Sequence, residues 1–337
     1  MNYESLHNHT SISDGVESPL EVLATAKKYG FSVVAFTDHD ILPNEQQLEE
    51  LKAYKGTVKW FVGCEISSGL PKELGGGPIS MFHILGLFTD PFNTDLLEHS
   101  KFALAARIER MEGIVENLNN LGFTITVEDC LRASSGEVVG RPHIVKALLE
   151  YKENITLMEK LREDMKKASE DDDALRIKYD NMMKQAENKG IRVYPYDLFL
   201  TEDAFIPNTY IDYLYSTDMD KSVELIRNAG GIAILAHWGT IKHKIDAVML
   251  EQFLKEKRLD GVEIASGFSV NNVGNIEILK KIADKTNSLQ TIGIDAHRPE
   301  DFASFTTSPK LAKQTTGITQ KIIEQTNPSL QWSNLAS

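Results

Sequence analysis

The sequence predicts an α/β fold with a parallel sheet, and three observations lead there. Short apolar runs of strand length alternate with amphipathic helical segments through the first hundred residues, and the alternation resumes after Ser216. About seven such strands occur, each followed by a helix or loop. The histidines follow the same plan. His7, His9, His39, His83, His143, His237 and His297 lie on a strand, at or just past its end, or in a Gly/Pro-marked turn. Only His99 and His243 fall elsewhere. A parallel α/β barrel keeps its active site at the C-terminal ends of its strands.

Taken in order, Tyr3–His7 reads as a strand. Ser18–Tyr29 reads as a helix, with Pro19 where proline is tolerated and Gly30 as its stop. Phe31–Thr37 is a buried strand, Pro43–Ala53 a helix, and Lys59–Ile66 and Ile79–Phe88 two further strands. The middle changes character. Asn93–Leu121 is one long helix, Thr126–Ala133 and Pro142–Tyr151 are short ones, and residues 150–189 form a charge-dense antiparallel helical hairpin broken at Glu170–Asp173. The hairpin is a solvated pair with a narrow apolar seam, or else a dimer contact or a cap over substrate. Afterwards come a helix Asp220–Ala229, a strand Gly231–Ala236, a helix Ala247–Lys257 and a strand Gly261–Ala265. A helix Val273–Thr286, a strand Thr291–Ile294 and a helix near Gly317–Gln325 complete the series. The expected divisions are a first barrel part at 1–95, a helical insertion at 96–215, a second barrel part at 216–300 and a tail at 301–337.

The 337 residues carry 36 Lys+Arg against 49 Asp+Glu, a formal charge of −13, which argues against long nucleic acid as a partner. A phosphorylated substrate remains compatible, because bound cations supply positive charge locally. Hydrophobic residues at 42% and charged ones at 25% exclude disordered and collagenous classes. Cys64 and Cys130 are the only cysteines, so no disulfide framework is expected and a reducing compartment is the default. No run approaches the roughly 18 apolar residues of a membrane span. With His7 and His9 almost at the first residue and no signal peptide visible, the expected location is the cytoplasm.

The chemistry is concentrated at strand ends. His7 and His9 stand at i and i+2, so both project to one face and reach one cation, and Asp14 follows in a Ser/Gly loop. Asp38-His39-Asp40 ends the apolar run Val33–Thr37, where ionisable groups are costly unless solvated, paired or metal-bound. There His39 is expected to be a ligand and Asp38 to support one, although either aspartate could instead cap the next helix. Glu65 ends the third strand and could bridge two cations, whereas Cys64 points the other way, into the core. His83, alone in an apolar strand, would read as a satisfied core residue, but beside the other clusters it is expected to be a ligand. Gly140-Arg141-Pro142-His143 places His143 in a helical first turn and Arg141 as a fork for phosphate, or as a surface ion pair. His237 follows Ala236, and Asp295 and His297 repeat the i, i+2 geometry on the last strand, next to the first in a closed barrel. His and carboxylate ligands without cysteine suit Zn²⁺, Mn²⁺ or Fe. His7, His9, Asp14, His39, Glu65, His83, His143, His237, Asp295 and His297, at about four ligands per ion, imply two or three divalent ions. The chemistry most in need of such a cluster is phosphoester hydrolysis.

The segments LHNHTSISDG, VVAFTDHD, GCEIS, FHILGLF, GRPHI, AGGIAILAH and GIDAH span residues 6–297. Together they resemble the PHP (polymerase and histidinol phosphatase) superfamily, and within it the small phosphoesterases acting on nucleotides and short RNA. The resemblance implies a distorted seven-stranded TIM-like β/α barrel with a trinuclear metal site. It implies His7, His9, Glu65 and Asp295 on the first ion, and Glu65 bridging to a second held by His83 and His143. Asp14, His39 and His297 would hold the third. His237 has no place among these nine ligands and becomes a phosphate contact or general acid, while Arg141 becomes the phosphate clamp. The family usually has proline where Trp238 stands, which offers a stacking surface for a base or simple packing. The hairpin at 150–189 is also longer than in the small phosphoesterases. The expected activity is hydrolysis of a small phosphomonoester, a nucleotide or nucleoside 3′,5′-bisphosphate, by a metal-bridging hydroxide. A 5′-to-3′ exonuclease on short RNA or DNA is the alternative, with Lys242, Lys244 or Arg298 beside Trp238. An amidohydrolase and a non-catalytic metal-binding module are further alternatives. The former would be expected to carry a bridging lysine where this chain has Glu65.

Overall fold

The computed structural model describes residues 2–76, 82–134, 138–212, 214–265, 267, 273–306 and 316–335. The chain divides into two compact units, one formed by Met1–Leu104 with Tyr215–Ser337 and the other by Ala105–Leu214.

The first unit is built on a sheet of eight described strands. They are β1 (Tyr3–Ser5), β2 (Phe31–Phe36), β3 (Lys59–Gly69), β4 (Phe82–Leu87), β5 (Thr217–Asp218), β6 (Ile232–Leu235), β7 (Gly261–Ala265) and β8 (Leu289–Ile292). Their order is β1-β2-β3-β4-β6-β7-β8, with β5 on the far end of β3. Val33-Val34-Ala35-Phe36, Trp60-Phe61-Val62 and Ile232–Leu235 are almost wholly buried, as expected of strands covered on both faces. The helices between strands start where the sequence caps them. Helix α1 (Pro19–Lys28) opens on Ser18, whose side chain and that of Glu21 form a reciprocal capping box. It ends before Gly30, at φ 82°, a left-handed turn that a side chain would resist. Helix α2 (Glu45–Ala53) opens on the same kind of box, from Asn44 and Gln47.

Two features of the described residues qualify the expected distorted seven-stranded barrel with its parallel sheet. First, β4 runs antiparallel to both neighbours, with Leu87 opposite Gly63 of β3 and Ile84 opposite Leu235 of β6. Second, among the described residues no ladder joins β1 to β8, although the Leu6 N–H donates to the Ile292 carbonyl at 3.0 Å. The segments that follow them meet instead, through one isolated bridge between Asn8 and Ala296 and through bonds such as Asp295 N–H to the His7 carbonyl, 2.9 Å. The start of the expected strand Ile79–Phe88 falls at residues 77–81, outside the described residues.

The second unit is helical, with its own core of Met111, Leu118, Phe123, Ile144, Leu148, Met158, Met165, Met182 and Phe199. It holds the greater part of α3 (Thr94–Asn120), then α4 (Val127–Ser134), α5 (Arg141–Leu148), α6 (Lys152–Ala168), α7 (Asp173–Lys189) and α8 (Tyr194–Phe199). The hairpin has a narrow buried seam of Met158 and Met165 on α6 and Met182 on α7, whereas Ile177 of α7 is exposed. The first unit continues with α9 (Met219–Asn228), α10 (Trp238–Ile241), α11 (Ala247–Lys255), α12 (Val273–Thr286), α13 (Pro299–Thr306) and α14 (Ile318–Thr326). Among the described residues, no helix is long and apolar enough to cross a membrane.

Candidate metal centre

Histidines and carboxylates from several strand ends of the first unit gather around Glu65. His7 and His9 follow β1, His39 follows β2, Glu65 lies within β3, His237 follows β6, and Asp295 and His297 follow β8. The reversed direction of β4 brings its beginning to this end of the sheet, so His83, opposite Ser67 of β3, joins them. The Glu65 carboxylate is fully buried. Its Oε1 lies 3.2 Å from His7 Nε2, 3.0 Å from His83 Nδ1 and 3.1 Å from His237 Nε2. Its Oε2 lies 3.2 Å from His9 Nε2 and 2.9 Å from His39 Nδ1. Asp295 Oδ1 lies 3.1 Å from His9 Nε2 and 3.4 Å from His7 Nε2, while the two Nε2 atoms are 3.2 Å apart.

These spacings test the fit of a cation. Donors about 2.1 Å from one ion stand about 3.4 Å apart at tetrahedral angles and about 3.0 Å apart at octahedral ones. Hydrogen bonding alone does not account for the cluster. Glu65 Oε2 and His39 Nδ1, although adjacent, make no aligned hydrogen bond, and His9 Nδ1 makes none either. Buried polar atoms left in this way are rare. The donor set, imidazole and carboxylate without thiolate, suits a catalytic divalent ion, so the residues present fit the group. Three sets of donors lie close enough to share an ion: His7, His9 and Glu65; His39, Glu65 and His83; and His9, Asp14, His39 and His297. His39 faces two of them, with Nδ1 toward Glu65 and Nε2 3.9 Å from Asp14 Oδ2. His297 Nε2 is 3.4 Å from Asp14 Oδ1.

The electrostatics follow from this crowding. Burial opposes charge on His9, but hydrogen bonds to Asp295 and Glu65 prevail and push its pKa up to about 10. His7 rises well above 6.5 against the same burial, under Glu65, Asp295 and Glu263. His39 goes the other way, to about 4, because burial dominates. Glu65 and Asp295 are held well below the usual carboxylate range against burial, chiefly by His83 and His7 for the former and by His7 for the latter. Asp14 falls likewise, held mainly by His297 and His39.

The loops that carry these groups are fixed by other side chains. Asp38, buried, accepts from Thr10 N–H at 2.8 Å and from Ser13 Oγ at 2.6 Å, pinning the loop that ends in Asp14. Asp40 accepts from Ser67 N–H at 2.8 Å and faces His99 Nε2 at 3.3 Å. His99 therefore belongs to the surroundings of the site, although its position inside a long helix gave no sign of it. Asp40, His237 and Asp295 all have left-handed backbones, at φ 53°, 30° and 51°, a concentration of strain typical of functional sites. Sequence reasoning also missed Glu263 of β7. Its only signal was a carboxylate inside an otherwise apolar strand.

Other expected residues fall elsewhere. Trp238 is 3% exposed, and its Nε1–H donates to the Ile245 carbonyl at 2.7 Å. It is a core side chain, which supports the packing reading over the stacking surface. Arg298 is half-buried just before α13, its N–H bonded to Asp301 Oδ2 at 3.0 Å. Arg141 and His143 belong to the second unit. Arg141 donates to the Leu200 carbonyl at 3.2 Å and lies over the rings of Tyr196 and Tyr210, 5.8 and 5.7 Å from their centroids. His143 Nδ1 accepts the Gly140 N–H at 3.0 Å, which turns the helix start on its own side chain.

Comparison with known proteins agrees with this geometry. The chain is 26% identical over 300 residues to a 5′-3′ exoribonuclease of Haemophilus influenzae, covering 87% of this chain and 89% of that protein. It is 22% identical over 298 residues to a 3′,5′-nucleoside bisphosphate phosphatase of Chromobacterium violaceum, covering 87% of each. In fold it is similar to a Bifidobacterium adolescentis protein assigned as a metal-dependent phosphoesterase, with TM-score 0.60, 24% identity and 88% of each chain covered. It is also similar to an amidohydrolase from Chromobacterium violaceum, with TM-score 0.64, 22% identity and 89% of each chain covered. The model of the PHP domain matches residues 5–189, more than half of the 337. The chain belongs to the PHP domain family and is a metal-dependent phosphoester hydrolase.

Proposed function

We propose that the substrate is a small phosphomonoester of the nucleotide or nucleoside 3′,5′-bisphosphate type. The observation that carries this reading is Glu65, one buried carboxylate ringed by five imidazole nitrogens at 2.9–3.2 Å. His7, His9, Glu65 and Asp295 would hold one divalent ion, Glu65 and His83, with His143, would hold a second, and Asp14, His39 and His297 would hold a third. Bound divalent ions supply a nucleophilic water ionised near neutral pH and neutralise the phosphoryl oxygens. The chain supplies the rest. Glu65 and the histidines fix the ligand geometry from rigid strands, and Asp38 holds the Asp14 loop. Burial opposes charge on His237, but its hydrogen bond to Glu65 prevails and raises its pKa, and it is the group that delivers a proton to the leaving oxygen. Arg141, with its planar fork and the adjacent Tyr196 and Tyr210 rings, holds the phosphate. Arg298 adds a charge for substrate at the end of the last strand.

A 5′-to-3′ exonuclease on short oligonucleotides is the second reading, favoured by the 26% identity to an exoribonuclease. The test is phosphate release from p-nitrophenyl phosphate, nucleoside monophosphates, nucleoside 3′,5′-bisphosphates and a short 5′-phosphorylated RNA, each with Mn²⁺ and with EDTA. Turnover of one monoester, abolished by EDTA, is expected. Shortening of the RNA alone would favour the exonuclease. No release from any of them would overturn both readings and return attention to amide substrates.

A further inference from the structure

Glu263, in β7, is 1% exposed, and a buried carboxylate is costly unless its oxygens are engaged. Both are, and by different parts of the centre. Oε1 lies 3.1 Å from His7 Nδ1, and Oε2 accepts the backbone N–H of His237 at 2.8 Å. A proton on His7 Nδ1, donated to Glu263, leaves the lone pair on Nε2, the atom that faces Glu65, Asp295 and His9. The second bond acts on a strained residue. His237 sits at φ 30°, ψ 48°, a conformation that side chains other than glycine rarely adopt. Its Nε2 is thereby placed 3.1 Å from Glu65 Oε1. The two imidazoles stack, with centroids 5.8 Å apart and planes 28° apart. The packing leaves no slack behind them. A Cβ at Gly293 would stand 2.2 Å from His7 Cβ and 2.6 Å from Glu263 Oε1.

We propose that Glu263 is a positioning residue that locks His7 in its metal-binding tautomer and, through the His237 N–H, sets the His237 ring against the same carboxylate. One side chain thus couples the ligation of the first metal group to the placement of the proton donor. The proposal rests on the ligand role of His7 given above. A structural role alone would lower stability; a positioning role lowers metal affinity in a folded protein.

The experiment is zinc affinity by chelator competition for the wild type, Glu263→Gln, Glu263→Ala and, as reference, His7→Ala, with circular dichroism of each variant. Glutamine keeps the shape but offers one carbonyl oxygen to two donors and turns an NH₂ toward the other. Zinc affinity is expected to fall about 10–100-fold in Glu263→Gln and no less in Glu263→Ala. Nitrogen-15 spectra of histidine-labelled, zinc-loaded wild type should show the His7 ring, identified by its loss in His7→Ala, protonated at Nδ1. A folded Glu263→Gln with affinity within about twofold of wild type, beside a weakened His7→Ala, would overturn the proposal. So would a wild-type His7 ring protonated at Nε2, a measurement that does not depend on any Glu263 variant folding. A His7→Ala variant with wild-type affinity would remove the ligand assignment itself, and the proposal with it. None of these readouts depends on the identity of the substrate.

Discussion

Replacing Asp295 with asparagine removes one charge from the centre and little else. The left-handed backbone at φ 51° is one that asparagine tolerates as readily as aspartate, so the turn is kept. What is lost is an anionic oxygen 3.1 Å from His9 Nε2 and 3.4 Å from His7 Nε2. Outer partners of metal ligands are worth about 10–100-fold in affinity. A direct ligand is worth at least the upper figure, or about 2.7 kcal/mol. Chelator competition with Zn²⁺ or Mn²⁺ should therefore show one weakened site of at least about 100-fold, together with loss of phosphate release. The chelated variant should also melt below the chelated wild type at neutral pH. The sign follows from Asp295, whose pKa is lowered from 3.8 against its burial, chiefly by His7. Its contribution is present above the unfolded value and is lost only as pH falls through the folded one. The gap should thus persist down to about pH 4 and close in stronger acid. An asparagine variant with wild-type affinity and turnover would refute the placement of Asp295 on a metal.

Loading the centre at neutral pH should release protons, because His7 and His9, with raised pKa values, hold them and a metal requires the neutral ring. Affinity should fall as pH falls, and calorimetry in buffers of different ionisation enthalpy counts the protons; finding none released would contradict the assignment of these two ligands. Trp238→Phe should cost about 1 kcal/mol through the lost bond to the Ile245 carbonyl while leaving KM unchanged. A rise in KM without loss of stability would restore a substrate contact. Asp38→Asn leaves the Thr10 and Ser13 donors one acceptor oxygen short. It should lower the metal count by the group that contains Asp14, read by elemental analysis, and an unchanged count would show that the loop holds itself.

The elements legible in the sequence were those with strong local signals. Strand Gly261–Ala265 and helix Val273–Thr286 lie where apolar runs and periodicity place them. The strand end was also informative for chemistry, because ionisable groups directly after an apolar run need a partner. Direction was not legible. An apolar run such as Phe82–Leu87 reads the same whether its strand is parallel or antiparallel. The short helix Trp238–Ile241 was invisible, being one turn without a periodic face. Trp238 stayed open between stacking surface and core, because an aromatic beside a histidine reads alike as either until its burial is known. Glu263 was passed over because a single carboxylate in a strand acquires meaning only when His7 and His237 stand on either side of it.

The central claim is that Glu65 is the hub of a divalent-metal centre. The most direct test is the number of metal ions bound by the purified wild type and by Glu65→Gln, each reloaded after chelation. Two or three ions per wild-type chain, and the loss of at least one in a folded Glu65→Gln, are the results predicted. No bound metal in the wild type, or an unchanged count after removal of the Glu65 charge, would contradict it.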